Sequence, residues 1–503
     1  MPVLSRQYFS GTDLDSDNPV RCALVGAGDF GSCLLGQALL LGRRLTVPVI
    51  CDTDVPKTRA LLREELGVDD ASLVVCGSAA EASAALVAGK SALVSDRAHL
   101  RGLDVDIVVV ATGLPVVDAA VAAEAIAEGK HVCMVSKEAE SVAGPMLARL
   151  AAEAGVVCTL VDGDQPSLLI GLLDWCDLLG LEVVCAGKSG EGDYTVNPTA
   201  ETIRVGSGSA VSCPGIADLW DIAEGDDAAH VVAERSRLIS AALGRSAPRR
   251  TEADLGEMGV ITNHTGLLPD TPSLHLPLCR SIEVPRLFCP MEDGGLLSSK
   301  CVDVFAQLHL EGELRFAGGV FVVVRGSPDS VWQSLARKGM PSYIAPSGTT
   351  YMMLYNPQHL LGVEAPLSIL SAVRLGKSTG GARPVPRSDL VAVADRDLVA
   401  GEVLALGAGH GVGCLEPRLA PPQRSTVQGS DGKGYVPYYL AAGHVMARDV
   451  VKGDALVLDD VMVPRDTTLF KLRQQQEAIV WEDKDEEEDE ADQLVLAAEA
   501  ARL

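Results

Sequence analysis

The chain has 503 residues, enough for about three domains, and its 47% hydrophobic and 22% charged residues are the balance of a folded protein rather than a disordered one. Lys plus Arg number 42 against 68 Asp plus Glu, a formal charge of −26 with no basic run to offset it, so a nucleic-acid partner is not expected. No stretch approaches the roughly 18 to 20 unbroken apolar residues of a membrane helix, and the start, MPVLSRQYFS, lacks the blocks of a secretory signal.

The 13 cysteines stand singly, most inside apolar runs as Cys22, Cys51, Cys133 and Cys185 do, with no C-x-x-C pair. That is the usage of reduced, buried thiols and predicts a cytoplasmic protein without membrane association. The nine His residues form no H-x-x-x-H or His/Cys cluster, which gives a structural zinc site no support.

In chain order, polar residues 1–18 read as a flexible arm. From 19 to 165 short apolar runs alternate with helical stretches, the beat of βαβ units and a doubly wound parallel sheet of Rossmann type. Strands are expected at Val20–Val25, Val47–Cys51, Asp106–Ala111, His131–Val135 and Val156–Val161. Helices are expected at Phe30–Leu41, Asp118–Glu128, Ser141–Ala154 and, beyond the unit, Ser167–Leu179, followed by a strand at Leu181–Ala186. Residues 166–385 lose the regular beat, keep strands such as Val320–Val324, and read as a second α/β domain for substrate and dimerisation whose topology the pattern leaves open. Residues 386–466 hold an internal echo, Asp395-Arg-Asp-Leu-Val-Ala-Gly-Glu-Val-Leu404 against Ala447-Arg-Asp-Val-Val-Lys-Gly-Asp-Ala-Leu456. Two copies suit a small β-rich module with a glycine turn in each. Residues 467–503 read as an acidic helical or disordered tail, with nine acids and one Lys in Glu482–Asp492.

Gly26-Ala-Gly-Asp-Phe-Gly31 fits G-x-G-x-x-G between a strand and a helix, and Asp52 follows at the end of the next strand. Gly26 permits the tight turn, Gly28 lets the backbone approach a pyrophosphate, and Gly31 lets helix and strand pack closely. Asp29 and Phe30 complete the loop at the helix start, where free N–H groups favour an anion. Asp52 suits the ribose hydroxyls of NAD, whereas Lys57 and Arg59 stand close enough to engage the 2′-phosphate of NADP, so the choice stays open. Thr112-Gly113 after the third strand fits the nicotinamide half.

With the Gly loop, VDIVVVATG and HVCMVSKEAES in view, the first 165 residues resemble the homoserine dehydrogenase-type nucleotide-binding domain. GDQPSLLIGLLDWCDLLGLEVVCAGKS (163–189), NHTGLLPDTPSLHLP (263–277), EDGGLL (292–297) and MLYNPQHLLGVEAPLSILSAV (353–373) resemble homoserine dehydrogenase-like oxidoreductases that end in a SAF domain. That family includes the deoxyxylulose-phosphate reductoisomerase-like enzymes, and the echoed motifs resemble the SAF module.

The resemblance implies a homodimeric NAD(P)-dependent oxidoreductase passing a hydride between the nicotinamide and a small polar, or phosphorylated, carbonyl or hydroxy substrate, with a divalent cation (Mg or Mn) as a further expectation. The alternatives are a reductoisomerase-like enzyme and an inactive nucleotide-binding scaffold. Lys188, in an AGKS turn, is the first candidate for a substrate-side cation. Lys137 resembles the homoserine dehydrogenase lysine, Asp164 is an orienting group, a metal ligand or a helix cap, and Glu257 and His264 flank the run into TGLLP. His359 is expected to begin a helix after NPQ. The reductoisomerase-like branch carries a second Lys where Gly190 stands and a D-G-[ST]-K run where Arg250-Thr-Glu-Ala253 stands, so two cationic donors of that branch are missing here.

Overall fold

The computed structural model describes residues 18–316, 318–381, 383–407, 409–426 and 434–480. The expected arm up to residue 17 and the acid run Glu482–Asp492 lie outside the described residues.

Seven strands, β1 (Val20–Val25), β2 (Leu45–Cys51), β3 (Leu73–Cys76), β4 (Ser91–Val94), β5 (Ile107–Val110), β6 (His131–Met134) and β7 (Cys158–Leu160), form one parallel sheet in the order β3-β4-β2-β1-β5-β6-β7. The chain winds outward from β1 on one side, then returns to lay β5 on its other edge, which makes a doubly wound sheet with its switch point between β1 and β5. β5 is Ile-Val-Val-Val and wholly buried, as a strand covered on both faces must be.

Four helices that follow strands of this sheet help to position the site. α1 (Asp29–Leu41) follows β1 directly. α2 (Pro115–Ala127) starts three residues before the expected Asp118, because the fixed φ of Pro115 suits a first helical position. α3 (Lys137–Glu153) starts four residues before the expected Ser141, since the Ser136 hydroxyl accepts from Ala139 N and caps the end. α4 (Gln165–Leu178) is capped by Asp164.

The sequence reading places no element between Cys51 and Asp106, where the structure has β3, β4 and a helix at Ala79–Val87. Four-residue strands carry too short a period to register. The helix does carry a cap: Ser78 accepts from Glu81 N, and Glu81 reaches back to accept from Gly77 N.

Pro145 cannot donate within α3, and Ala143 leaves helical geometry at φ −143°. The polar groups loosened by this kink are taken by a helix over 468–480: Arg473 and Gln476 donate to Val142 O, and Gln476 accepts from Met146 N. The carboxyl-terminal helix therefore braces the helix whose first turn carries Lys137.

The second sheet runs from β8 (Glu182–Asn197) through β9 (Thr202–Val205) to β10 (Val211–Ser212) on one side. On the other it continues through β13 (Gly318–Arg325) and β15 (Thr350–Gln358) to β14 (Ser342–Ile344). β12 (Cys301–His309) lies parallel to β8 and carries the short β11 (Leu278–Cys279). Two sequence readings are corrected here. Lys188 does not sit in a turn but inside β8, flanked by Val304 and Val320, because β8 runs on through the glycines instead of stopping at Ala186. His359 does not begin a helix: Asn356, Pro357 and Gln358 finish β15 and His359 follows in a loop.

The long helix α5 (Glu252–Thr265) is buried from Asp254 to Asn263 between α3, α4 and the second sheet. Beyond it β16 (Asp389–Ala394) pairs antiparallel with β17 (Leu415–Ala420). The two echoed segments face each other: Leu398 bridges Val450, Asp449 accepts from Ala400 N, and Asp397 accepts from Lys452 N. Gly401 and Gly453 turn at φ +87° and +90°, so the repeat in sequence is a twofold exchange of the same contacts in space.

Candidate active site

The Gly loop is built as its spacing predicts. Gly26 sits at φ +96°, where a Cβ would stand 2.4 Å from Ala111 O, and a Cβ on Gly31 would stand 2.3 Å from Gly26 O. Gly28 differs: its φ is −72°, it is exposed, and nothing lies within 4 Å of its Cβ position. No fold contact there demands glycine, so what remains is an open approach to the uncapped first turn of α1, carrying Asp29 and Phe30. Such a cradle fits a pyrophosphate.

Asp52, at the end of β2, accepts from Ala27 N at 2.7 Å and Asp54 N at 2.8 Å, which ties the next strand end to the loop. Arg59 is held by two 2.7 Å bonds to Asp70. At the end of β5, Thr112 donates to buried Asp118 at 2.5 Å and Gly113 turns at φ +68°. Burial raises the Asp118 carboxyl to about 6, with Thr112 pulling the other way.

All four expected catalytic residues converge on one cluster. Lys137 Nζ lies 2.6 Å from Glu257 Oε1, and Lys188 Nζ lies 2.6 Å from Glu257 Oε2 and 3.0 Å from Asp254. Asp164 shares a small cavity with Lys137, lined also by Ser136, Leu160 and Val260. Burial pushes the Glu257 carboxyl up, but the two ammonium groups outweigh it and hold it down at about 2. The charges of Glu257 and Asp164 outweigh burial at Lys137 and hold its ammonium well above the usual range. Asp164 goes the other way: burial raises it, only partly opposed by Lys137. It also accepts from Gln165 N at 3.0 Å, so it caps α4 while belonging to the cluster.

Access separates the two lysines. Lys188 and Glu257 have no exposed side-chain surface, whereas 23% of the Lys137 side chain is exposed. The sequence reading ranks Lys188 first; Lys137 is the ammonium that a substrate can reach.

His264 lies outside the cluster. Its Nδ1 meets the Gly380 carbonyl and its Nε2 stands 3.5 Å from Glu140, so it pins a turn to α3. His359 lies over Gly318 beside the Gln165 amide. Asp254 escaped the sequence reading, although its spacing of three from Glu257 on one helix is the signal that both reach the same partner. Among the described residues no group of three His, Cys, Asp or Glu side chains is arranged to hold a metal ion. The carboxylates that do converge are engaged by ammonium groups, so they do not fit a divalent cation. No described helix is long and apolar enough to cross a membrane.

Residues 251–365, less than a quarter of the chain, match the family model described as oxidoreductase DRL, catalytic domain. The match starts at the α5 cap and takes in Asp254 and Glu257, so this segment is similar to an oxidoreductase catalytic domain. No curated protein matches the chain. Among solved structures, the WlbA dehydrogenase from Bordetella pertussis in complex with NADH and UDP-GlcNAcA is 18% identical over 37% of this chain and 46% of that one, with a TM-score of 0.22. A DOX-P reductoisomerase in complex with NADPH, fosmidomycin and magnesium is 17% identical over 34% and 46%, with a TM-score of 0.25. A probable dehydrogenase from Thermotoga maritima is 10% identical over 73% and 91%, with a TM-score of 0.34. The chain spans less than half the length of the first two.

Proposed function

We propose that this chain is an NAD-dependent oxidoreductase that interconverts a small polar carbonyl compound and its alcohol. One observation carries the reading: the candidate groups stand in line along the carboxyl edge of the first sheet. Asp52 follows β2, Gly26–Gly31 follows β1, Thr112-Gly113 follows β5, Lys137 follows β6 and Asp164 follows β7, in the spatial order of the strands. A dinucleotide stretched from β2 across the switch point brings its nicotinamide to the strand ends that carry the ionisable cluster.

The bound nicotinamide supplies or accepts the hydride. The chain's own groups do the rest. The Lys137 ammonium faces the open side and stabilises negative charge growing on the substrate oxygen. Glu257 keeps that ammonium charged, and buried Lys188 keeps Glu257 ionised and fixed. Asp164 and Glu257 are carboxyls pushed in opposite directions by their surroundings, which gives Asp164 the proton-carrying role and Glu257 the fixed charge.

NAD is favoured over NADP because Asp52 places a carboxylate at the ribose end while Asp70 occupies Arg59, leaving exposed Lys57 as the cation nearest a 2′-phosphate. The segment over 386–466 is read as a SAF module, and the working unit as a homodimer. The test is calorimetric titration of the folded chain with NADH and NADPH, then a screen of small carbonyl substrates. Micromolar NADH binding and turnover lost in Lys137→Met support the reading. A folded chain that binds neither cofactor overturns it.

A further inference from the structure

The carboxyl end of β5 is not bordered by the first sheet alone. A loop from the carboxyl-terminal module crosses to it and lays the His410 ring on Gly113. A Cβ at 113 would stand 2.2 Å from His410 Cε1, 2.7 Å from Nδ1 and 2.9 Å from Nε2, so this glycine is the room the ring needs.

The loop is built to hold that pose. His410 itself sits at φ +63°, a left-handed conformation that costs a side chain free energy and persists only where its surroundings impose it. Gly407 N donates to Gly411 O at 2.7 Å and His410 N donates to Gly407 O at 3.0 Å. Val412 N donates to the hydroxyl of buried Tyr438 at 2.8 Å, which anchors the loop to the core of the module.

The ring's hydrogen placement follows from its partner. His410 Nδ1 lies 2.9 Å from Gly113 O, and a carbonyl only accepts, so Nδ1 carries the hydrogen. In the neutral ring Nε2 then keeps its lone pair. Because Asp52 on β2 marks the adenosine side, a group seated on Gly113, two strands across the sheet, meets the other half of the cofactor.

We propose that His410 is a cofactor-contacting residue supplied by the carboxyl-terminal module, its Nε2 accepting a hydrogen bond from a hydroxyl or amide group on the nicotinamide half of the dinucleotide. The proposal rests on the dinucleotide reading above and gives the module a part in the site. The Gly-rich loop is then what lets a separate segment deliver one imidazole to the sheet edge.

Calorimetric titration of the wild-type chain, His410→Ala and His410→Phe with NADH and with ADP tests it. Phe keeps a ring on Gly113 but removes both nitrogens, so it serves where the alanine variant fails to fold. The expected result is a loss of about tenfold in NADH affinity in each folded variant, the worth of one hydrogen bond, with ADP affinity unchanged. Unchanged NADH binding, or equal loss of NADH and ADP, overturns the role of His410 and leaves the dinucleotide reading standing. A wild-type chain that binds neither NADH nor ADP overturns both.

Discussion

Lys188 Nζ lies 2.6 Å from Glu257 Oε2, and neither side chain exposes any surface. Two opposite charges in such a place are strongly interdependent, because removing one strands the other in a medium that solvates it poorly. Lys137 approaches the second oxygen of the same carboxylate, so Glu257 is the shared counter-charge for a buried and a reachable ammonium.

Glu257→Ala should therefore lower stability by about 3 to 5 kcal/mol, the cost of breaking a buried pair, although Asp254 still faces Lys188 at 3.0 Å. Glu257→Gln, which keeps the shape, should lose turnover while losing less stability. Urea denaturation of the three proteins checks the order. Equal stability of wild type and Glu257→Ala would show that the cluster carries no net charge coupling.

The same carboxyl makes a pH prediction. Its folded value, about 2, is below its ordinary value of 4.5, so its stabilising contribution is present above about 4.5 and is lost as pH falls toward 2. Wild-type stability should fall across that window more steeply than that of Glu257→Gln, followed by denaturant midpoint at each pH.

Asp118 carries the opposite sign. Burial raises its folded value to about 6 from 3.8, so stability is fully present below about 3.8 and is lost as pH rises to about 6. Asp118→Asn still accepts from Thr112 and removes the charge. It should be the more stable protein at pH 7, by up to about 3 kcal/mol for a shift of roughly two units. A wild-type chain that matches it at pH 7 contradicts the raised carboxyl.

Two alanine substitutions separate fold from ligand in the Gly loop. Gly26→Ala forces a Cβ into the Ala111 carbonyl at a positive φ and should destabilise the chain. Gly28→Ala meets nothing and adopts an ordinary φ, so its thermal midpoint should match wild type while NADH affinity falls at least tenfold. Wild-type NADH binding in Gly28→Ala would remove the pyrophosphate from this turn.

Arg473 tests the brace on α3. It makes two 2.6 Å bonds to Asp389 and one of 2.7 Å to Glu477, all buried. Asp389→Ala should cost about 3 to 5 kcal/mol. It should also expose the 468–480 helix to limited proteolysis; an unchanged digestion pattern would mean the helix is held by its apolar contacts alone.

Much of the half built on the first sheet was legible in the sequence because its physics is local. A fully apolar run such as Ile107–Val110 can only be a strand covered on both faces, and glycines at 26 and 31 answer to contacts with the neighbouring turn. Asp52 could be placed by spacing alone, since one βαβ unit has a narrow range of lengths. What sequence reading got wrong there lay at helix ends, where Ser136 and Pro115 moved the start by about one turn, and between Cys51 and Asp106, where the short strands β3 and β4 and the Ala79–Val87 helix left no readable period.

The ionisable cluster was legible only as a set of residue types. Lys137, Asp164, Lys188 and Glu257 come from a helix start, a helix cap, the middle of a strand and a buried helix, and no periodicity relates those positions. Which lysine is sealed and which is reachable depends on how α5 and β8 pack, and packing at that distance in sequence leaves no local trace. His410 is the extreme case: 297 residues separate it from Gly113, and a lone histidine among glycines reads as a surface turn. Composition, period and motif determined that this chain builds a doubly wound sheet with a glycine loop after its first strand. Only the tertiary structure decided what stands opposite that loop, because side-chain charge and access are set by the neighbours that burial brings together.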